Sequence, residues 1–296
     1  MGAADVVPGV SGGTIAFITG IYEELLKSIK AVNLKTFRLL FKEGIKPFWK
    51  EINGRFLLTL FTGIGVSVVS LAKVLEMLLT EYPVLVWAFF FGLIVASAIY
   101  IAKQINNWKI GQVIALLLGI ASAYIITRIT PAQTTDAWWF LILSGAIAIC
   151  AMILPGISGS FILLLLGKYA YVISAVSDFN VQVIALVGIG AVVGLVSFAN
   201  VLSWLLNKYH NHTIAVLAGF MIGSLNKIWP WKETVETYID RHGEVQPLIQ
   251  DNVLPSRFVE VTGTTSYLWP AVLLAVVGFV LIFAIEKMAN NKPVAK

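Results

Sequence analysis

The chain has 296 residues, of which 58% are apolar and only 12% are charged. A soluble domain is about half apolar and about a quarter charged, so this composition excludes an ordinary soluble fold and favours a protein that uses the bilayer as its solvent. The net charge of +5 does not indicate nucleic-acid binding, because eight of the 21 Lys and Arg residues lie in residues 27–55, beside apolar segments.

The number and positions of cysteine and histidine limit which disulfides and metal sites the chain can form. Cys150 is the single cysteine, which excludes a disulfide within the chain and a thiol–metal cluster. The three histidines lie in predicted loops and form no metal-binding pattern. We therefore expect no metal site, no cofactor and no nucleic-acid partner.

Six segments are long and apolar enough to cross a bilayer, which takes about 20 residues of helix. In chain order they are residues 56–79, 84–102, 110–128, 181–206, 213–229 and 267–285.

Two further apolar regions are interrupted, residues 1–26 at 8–13 and residues 137–176 at 155–160. Each arm of the second region has roughly 16 residues, or about 24 Å of helix, which is short of the roughly 30 Å hydrocarbon thickness. This length favours a re-entrant hairpin over one kinked helix with a tilted neighbour. The first region lacks an equally long first arm, so either it is naturally short or residues before Met1 are missing.

The two interrupted regions resemble each other. Residues 8–22 and 155–169 share 7 identities in 15, and residues 63–82 and 190–209 share 10 in 20. The two matches differ in offset because the basic stretch 27–55 is longer than its counterpart. This pattern indicates an internal duplication.

Loop charges predict the orientation of each copy. The basic stretch 27–55 is expected in the cytoplasm, and counting crossings from it places loop 230–266 outside and the C-terminus inside. Each copy then has one re-entrant broken-helix hairpin and three transmembrane helices. Because three crossings invert the second copy, we predict an all-α polytopic membrane protein made of two inverted repeats, residues 1–130 and 131–296.

The repeated loop has the chemistry of an anion site. Proline breaks the helix, glycine removes bulk, and N–H groups at the start of the next half-helix favour a negative charge. Because the loops enter from opposite faces, their tips are expected to meet near the midplane. The alternative is close helix packing through small residues. The candidate substrate-binding residues of the loops are Ser11, Gly12, Gly13 and Thr14 in the first and Ser158, Gly159 and Ser160 in the second.

Charged residues in apolar regions supply the remaining candidates, because burying a charge in a membrane is costly. Lys168 and then Arg128 are the candidate cations for the substrate, although both could instead extend to the interface. Asp5 and Glu23 are the candidates to carry a coupling ion, either a proton or sodium. No catalytic residue is predicted.

The run from Gly2 to Glu23, with the motif at 155–160, resembles the bacterial undecaprenyl phosphate translocase (PopT-type) family. The resemblance covers essentially the whole chain. It implies a multi-pass protein of the bacterial cytoplasmic membrane that returns the lipid carrier undecaprenyl phosphate for cell-envelope synthesis. It leaves open a homo-oligomer, the coupling ion and the direction of net transport.

Two other functions stay open. Membrane undecaprenyl-diphosphate phosphatases have a similar Pro-Gly-x-Ser motif, but an Arg follows the Ser in them, whereas this chain has Gly12 and Gly159 there. A phosphoryl-transfer site without a placed cation or metal lacks the charge stabilisation that the reaction needs. The other alternative is a transporter or channel for a small soluble anion.

Overall fold

A computed structural model describes residues 1–6, 11–129, 131, 134–239 and 245–290. Most of this part of the chain is helical. Its helices are α1 (Gly2–Val6), α2 (Gly12–Ile18), α3 (Tyr22–Ala31), α4 (Leu34–Glu43), α5 (Ile45–Glu51), α6 (Gly54–Glu81), α7 (Pro83–Lys103), α8 (Ile110–Arg128), α9 (Trp138–Ile153), α10 (Gly159–Leu165), α11 (Tyr169–Ser177), α12 (Val181–Lys208), α13 (His210–Ser224), α14 (Pro255–Thr262) and α15 (Leu268–Asn290), and its strands are β1 (Lys232–Ile239) and β2 (Val245–Asn252).

Five helices in the described ranges are long and apolar enough to cross a membrane, namely α6, α7, α8, α12 and α15. They match five of the six predicted segments. The outer helices turn apolar side chains away from the protein, as at Val69, which is 83% exposed, and a hydrocarbon environment removes the cost of that exposure. The prediction of a multi-pass membrane protein is confirmed.

The sixth predicted segment, 213–229, is shorter than expected. Its helix α13 ends at Ser224, and tight turns continue the chain to Ile228 through bonds from Lys227 N to Ser224 O and from Ile228 N to Leu225 O. Asn226 and Lys227 lie in these turns, so the apolar run ends before the segment does.

The second interrupted region consists of α9, a break at residues 154–158, α10 and α11. We expected two arms of similar length, but the return arm is bent by 112° between α10 and α11. Gly167 has φ +63° and ends α10, with Gly167 N bonded to Leu164 O and Lys168 N to Leu163 O. This is the Schellman helix ending, which a glycine adopts without strain.

The first interrupted region repeats this arrangement with α1, α2 and α3. Gly20 has φ +73° and ends α2 through bonds from Gly20 N to Phe17 O and from Ile21 N to Ala16 O. Both half-helices, α2 and α10, have seven residues, and a tyrosine begins the helix that follows each. Pro8 and Gly9 lie outside the described residues.

Glycines join the two halves through two equivalent helix contacts. A Cβ at Gly92 of α7 would overlap Ala275 O of α15, and one at Gly278 would overlap Phe89 O. In the other pair, a Cβ at Gly219 of α13 would overlap Leu116 O of α8, and one at Gly119 would overlap Val216 O. Helices α7 and α13 are therefore packed alike, each against the last long helix of the other half.

Each half of the chain also contains a segment that lies outside its long apolar helices. Helices α4 and α5 fill the basic stretch 27–55, and loop 230–266 holds an antiparallel β1–β2 hairpin followed by α14. This hairpin is an addition to the all-α prediction. Strand β1 is rich in Thr, Val, Tyr and Ile, which favour a strand outside the apolar segments.

The main core lies where α2, α3, α7, α12 and α13 meet. Ile94 of α7 and Met221 of α13 are fully buried there. This packing holds the two interrupted regions side by side at the centre of the protein.

Candidate functional site

The two repeated loops touch. Ser11 Oγ donates to Met152 O at 2.8 Å, and Gly156 N donates to Thr14 Oγ1 at 3.2 Å. Tyr22, which follows the first loop, donates its hydroxyl to Ile153 O at 3.0 Å. Residues that are more than a hundred positions apart in sequence thus form one buried group, in which Ser11 and Thr14 are fully inaccessible.

The loop N–H groups that we expected to be free are largely occupied. Gly12 N donates to Asp5 Oδ1 at 2.7 Å, and Gly13 N donates to Ser11 Oγ at 3.0 Å. In the second loop, Phe161 N donates to Ser158 Oγ at 3.2 Å. The prediction of free donors is wrong for these three groups in this conformation, because a cap serine accepts from Gly13 N and from Phe161 N and the Asp5 carboxylate accepts from Gly12 N.

Asp5 lies where an anion was expected. Its Oδ1 accepts the Gly12 N–H at the start of α2, while its Oδ2 is buried without a hydrogen-bond partner among the described residues. A carboxylate of the chain therefore already contacts the first loop. The unpaired oxygen is a costly feature of a buried carboxylate unless it gains a proton or a partner.

Small residues also allow the loops to pack closely, which is the alternative that the sequence left open. A Cβ at Gly13 would lie 2.5 Å from Ile153 O, and one at Gly156 would lie 2.6 Å from Ser224 Oγ. A Cβ at Gly159 would meet Ala148 O at 2.9 Å. Ser160 lies beside Ser158, with 3.2 Å between the two hydroxyl oxygens.

The two predicted cations are paired with carboxylates. Lys168 is buried, and its Nζ donates to Asp136 Oδ1 at 2.5 Å and to Thr134 O at 3.0 Å. Arg128 lies at the end of α8, half exposed, and pairs with Asp251 at 3.0 Å. The hydrogen bonds of these two side chains are to residues before α9 and to β2, and Lys168 also lies over the rings of Phe140 and Tyr171.

Glu23 lies away from the loop tips as well. It is exposed and pairs with Lys27 at 3.4 Å. It lines a cavity of about 450 Å³ together with Gly20, Glu24, Lys27, Ser28, Glu51 and Asn53. Of the two candidate coupling residues, only Asp5 contacts a loop.

Sequence reasoning missed Lys227 and Lys232. Both lie at the end of α13 that adjoins the second loop, where Ser224 packs against Gly156. The signal was present, because two lysines flank two tryptophans in residues 227–232. Such a run is ordinarily attributed to a membrane interface, so it did not suggest a site.

Comparison with known proteins agrees with the motif resemblance. Residues 1–246 match the family described as undecaprenyl phosphate translocase-like. The chain is 46% identical over 291 residues, 98% of its length and 94% of the relative's, to a Vibrio cholerae serotype O1 (strain ATCC 39315 / El Tor Inaba N16961) protein named polyprenyl-phosphate transporter. A Staphylococcus aureus (strain NCTC 8325 / PS 47) protein of the same name is 30% identical over 249 residues, 78% of this chain and 83% of that one. No solved structure matches the chain. The chain belongs to the undecaprenyl phosphate translocase-like family.

Proposed function

We propose that this protein moves undecaprenyl phosphate across the bacterial cytoplasmic membrane, so that the carrier is reused in cell-envelope synthesis. Family membership, the names of two relatives as polyprenyl-phosphate transporters, and the five apolar helices support a membrane transporter of such a lipid. The protein acts as a carrier and not as an enzyme.

The observation that carries the mechanism is the contact between the two loops. Ser11 bonded to Met152, and Thr14 bonded to Gly156, join two helix breaks from different halves of the chain. Moving a bare phosphate through hydrocarbon is prohibitive, because desolvating a charge costs many kcal/mol. Hydroxyl and N–H groups of both loops replace the water of the phosphate, while the polyprenyl tail stays in lipid.

The described conformation corresponds to loops closed on themselves. When the halves separate, the phosphate takes the Gly12 N–H from Asp5, and the N–H and hydroxyl groups at Gly13, Ser158 and Ser160 become available to it. Two similar loops that close on each other support a site that opens alternately to each face, as in transporters with inverted repeats. The equivalent glycine contacts of α7 with α15 and of α13 with α8 support the inverted relation of the halves.

Asp5 is the stronger of the two candidates for coupling. Its Oδ2 has no hydrogen-bond partner in the described part of the chain, so a proton there neutralises the carboxyl at the moment when the phosphate displaces it. Glu23 would act later, at the cavity beside α3. Lys168 and Arg128 remain the candidate cations for the substrate. They lie near the second hairpin and at the end of α8, although each is compensated by a carboxylate.

The test is transport of undecaprenyl phosphate in proteoliposomes at several pH values. We expect Ser11→Ala and Asp5→Asn to slow transport at least about tenfold, because each removes a buried hydrogen-bonding or charged group. Asp5→Asn should also flatten the pH dependence, and Glu23→Gln should do so less. The matched control is Ser70→Ala, since the Ser70 hydroxyl is exposed and bonds only within α6.

Two results would contradict the proposal. Normal transport by Ser11→Ala and Asp5→Asn would show that the loops only pack. Release of inorganic phosphate from undecaprenyl diphosphate by the wild type would indicate a phosphatase instead.

A further inference from the structure

Two lysines lie together at one end of the protein and form no ion pair with a described carboxylate. Lys232 Nζ donates to Lys227 O at 2.6 Å and lies 4.1 Å from the centre of the Trp87 ring. Lys227 Nζ lies 4.7 Å from the centre of the Phe161 ring. Both side chains are partly buried, so their charges are held within the protein surface.

Every ion pair found within the described residues uses other cations. They are Lys27–Glu23, Arg128–Asp251, Lys168–Asp136 and Arg257–Glu233. Glu233 follows Lys232 directly but is bonded to Arg257 at 3.3 Å. The charges of Lys227 and Lys232 are therefore offset only by ring faces and by one carbonyl oxygen, which compensate a buried ammonium weakly.

Two close positive charges in a half-buried place are unfavourable without an anion. Burial lowers the pKa of Lys232 well below its usual value, and the neighbouring Lys227 charge lowers it further. An anion beside both groups would favour their charged forms and remove this cost.

Simple extension to the interface does not explain the arrangement. A lysine that only seeks water directs its ammonium outward from an apolar stem. Here Lys232 turns its ammonium back to the main chain of Lys227, and Lys227 lies on a ring of α10. The geometry holds both ammonium groups in place beside the chain instead.

Both lysines adjoin the second loop. Lys227 N is bonded to Ser224 O, and Ser224 packs against Gly156 of that loop. Phe161, on which Lys227 lies, is the residue whose N–H is bonded to Ser158 Oγ. An anion held by Lys227 would thus lie beside the half-helix that Ser158 caps.

We propose that Lys227 and Lys232 form an outer subsite that takes the phosphate monoester headgroup of the lipid before it reaches the two loops. This inference rests on the proposed function and on the predicted external position of residue 232. A phosphate monoester carries a charge of about −1.5 to −2 at neutral pH and three acceptor oxygens, which matches two ammonium donors. The polyprenyl tail remains outside this subsite.

The experiment measures binding of farnesyl monophosphate to the full chain in detergent micelles, with farnesol and inorganic phosphate as competitors. We expect Lys227→Met and Lys232→Met each to weaken binding at least about tenfold, as expected for loss of a hydrogen bond to a charged group. Lys227→Arg should stay within a few-fold of wild type. Lys208→Met is the matched control, because Lys208 also lies over aromatic rings, Trp204 and Tyr209, near the opposite end of α13.

Thermal unfolding separates binding from folding. The Lys227 ammonium makes no hydrogen bond to a described residue, so Lys227→Met should unfold no earlier than wild type even though it binds the probe less well. A Lys227→Met protein that is folded and binds as tightly as wild type overturns the inference.

The remaining outcomes are also decisive. If wild type binds farnesyl monophosphate no better than farnesol, the proposed function fails, and the subsite fails with it. If wild type discriminates between them but both methionine variants do too, the proposed function stands and the subsite alone is wrong. If inorganic phosphate displaces the probe at equal concentration, the subsite binds free phosphate, and its assignment to a lipid headgroup is overturned.

Discussion

The two broken hairpins share a backbone plan but differ in their charges. In each, a serine precedes a seven-residue half-helix, a glycine with positive φ ends it, and a tyrosine begins the next helix. The hydrogen bonds of the two serines differ. Ser11 Oγ donates to Met152 O of the other hairpin, whereas Ser158 Oγ accepts from Phe161 N of its own half-helix.

The charged side chains around the two hairpins differ more than the hairpin backbones do. Beside the first is a cavity of about 450 Å³ lined by Glu23, Glu24 and Glu51 with one lysine. Beside the second are Lys168 and the Lys227–Lys232 pair. The duplicated backbone thus supplies a common way to break and cap a helix, while the charged side chains beside it differ between the two regions.

The largest expected effect is in cysteine labelling, which reports which end of the protein faces the outside of the cell. In a Cys150→Ala background, a cysteine replacing Val245 should react with a membrane-impermeant maleimide in intact cells, and one replacing Phe41 should react only after lysis. Both positions are exposed, at 66% and 86%, so access depends on the side of the membrane. The basic stretch 27–55 predicts this orientation. Labelling in the reverse order would place the Lys227–Lys232 pair on the cytoplasmic side and contradict its role as an outer subsite.

The next largest effect is expected on the free energy of unfolding when a glycine in either loop is replaced. Gly13→Ala places a methyl group 2.5 Å from Ile153 O, while Gly159→Ala places one 2.9 Å from Ala148 O. We expect Gly13→Ala to reduce the free energy of unfolding by about 1–3 kcal/mol, the usual cost of overpacking, and Gly159→Ala to cost less. Thermal unfolding in detergent measures both.

Gly63→Ala is the control for these variants, because its methyl group meets no atom within 4 Å. Replacing a glycine inside a helix is expected to stabilise by about 0.5–1 kcal/mol. A larger loss for Gly159→Ala than for Gly13→Ala would show that the second loop, and not the first, is the tighter one.

The smallest effect compares the two cap serines. Ser11→Ala removes the cap on Gly13 N and leaves Met152 O without its buried donor, so we expect a loss of about 1–2 kcal/mol. Ser158→Ala should cost about 1 kcal/mol for the cap on Phe161 N. The same unfolding assay checks the order, with Ser70→Ala expected to change stability by less than about 0.5 kcal/mol. Equal losses would mean that the bond across the hairpins contributes nothing.

Much of the fold could be predicted because the bilayer imposes simple rules. Helix length and apolar composition located five of the candidate spans, and Pro and Gly located the helix break of the second interrupted region. Local motifs also carried over, since Ser before a half-helix and Gly after it have few other structural roles. The sixth segment was extended too far because Ile228 and Trp229, beyond Asn226, keep the stretch apolar on average.

The contents of the site were harder to predict because they depend on long-range contacts. Nothing in the sequence near Lys168 shows that Asp136, across α9, neutralises it. Likewise, nothing in the sequence shows that the Asp5 carboxylate accepts the Gly12 N–H. A sequence pattern indicates which groups are available, but the packing of distant segments decides which of them are already bonded.

The packing of α7 against α15 and of α13 against α8 has a consequence for synthesis of the protein. Helix α7 is made early, yet the face around Gly92 packs against α15, which is made much later. Helix α8 likewise packs against α13, which follows it in the chain. The glycine-lined faces of α7 and α8 are therefore expected to stay exposed to lipid or to insertion factors during translation, until each partner helix is inserted.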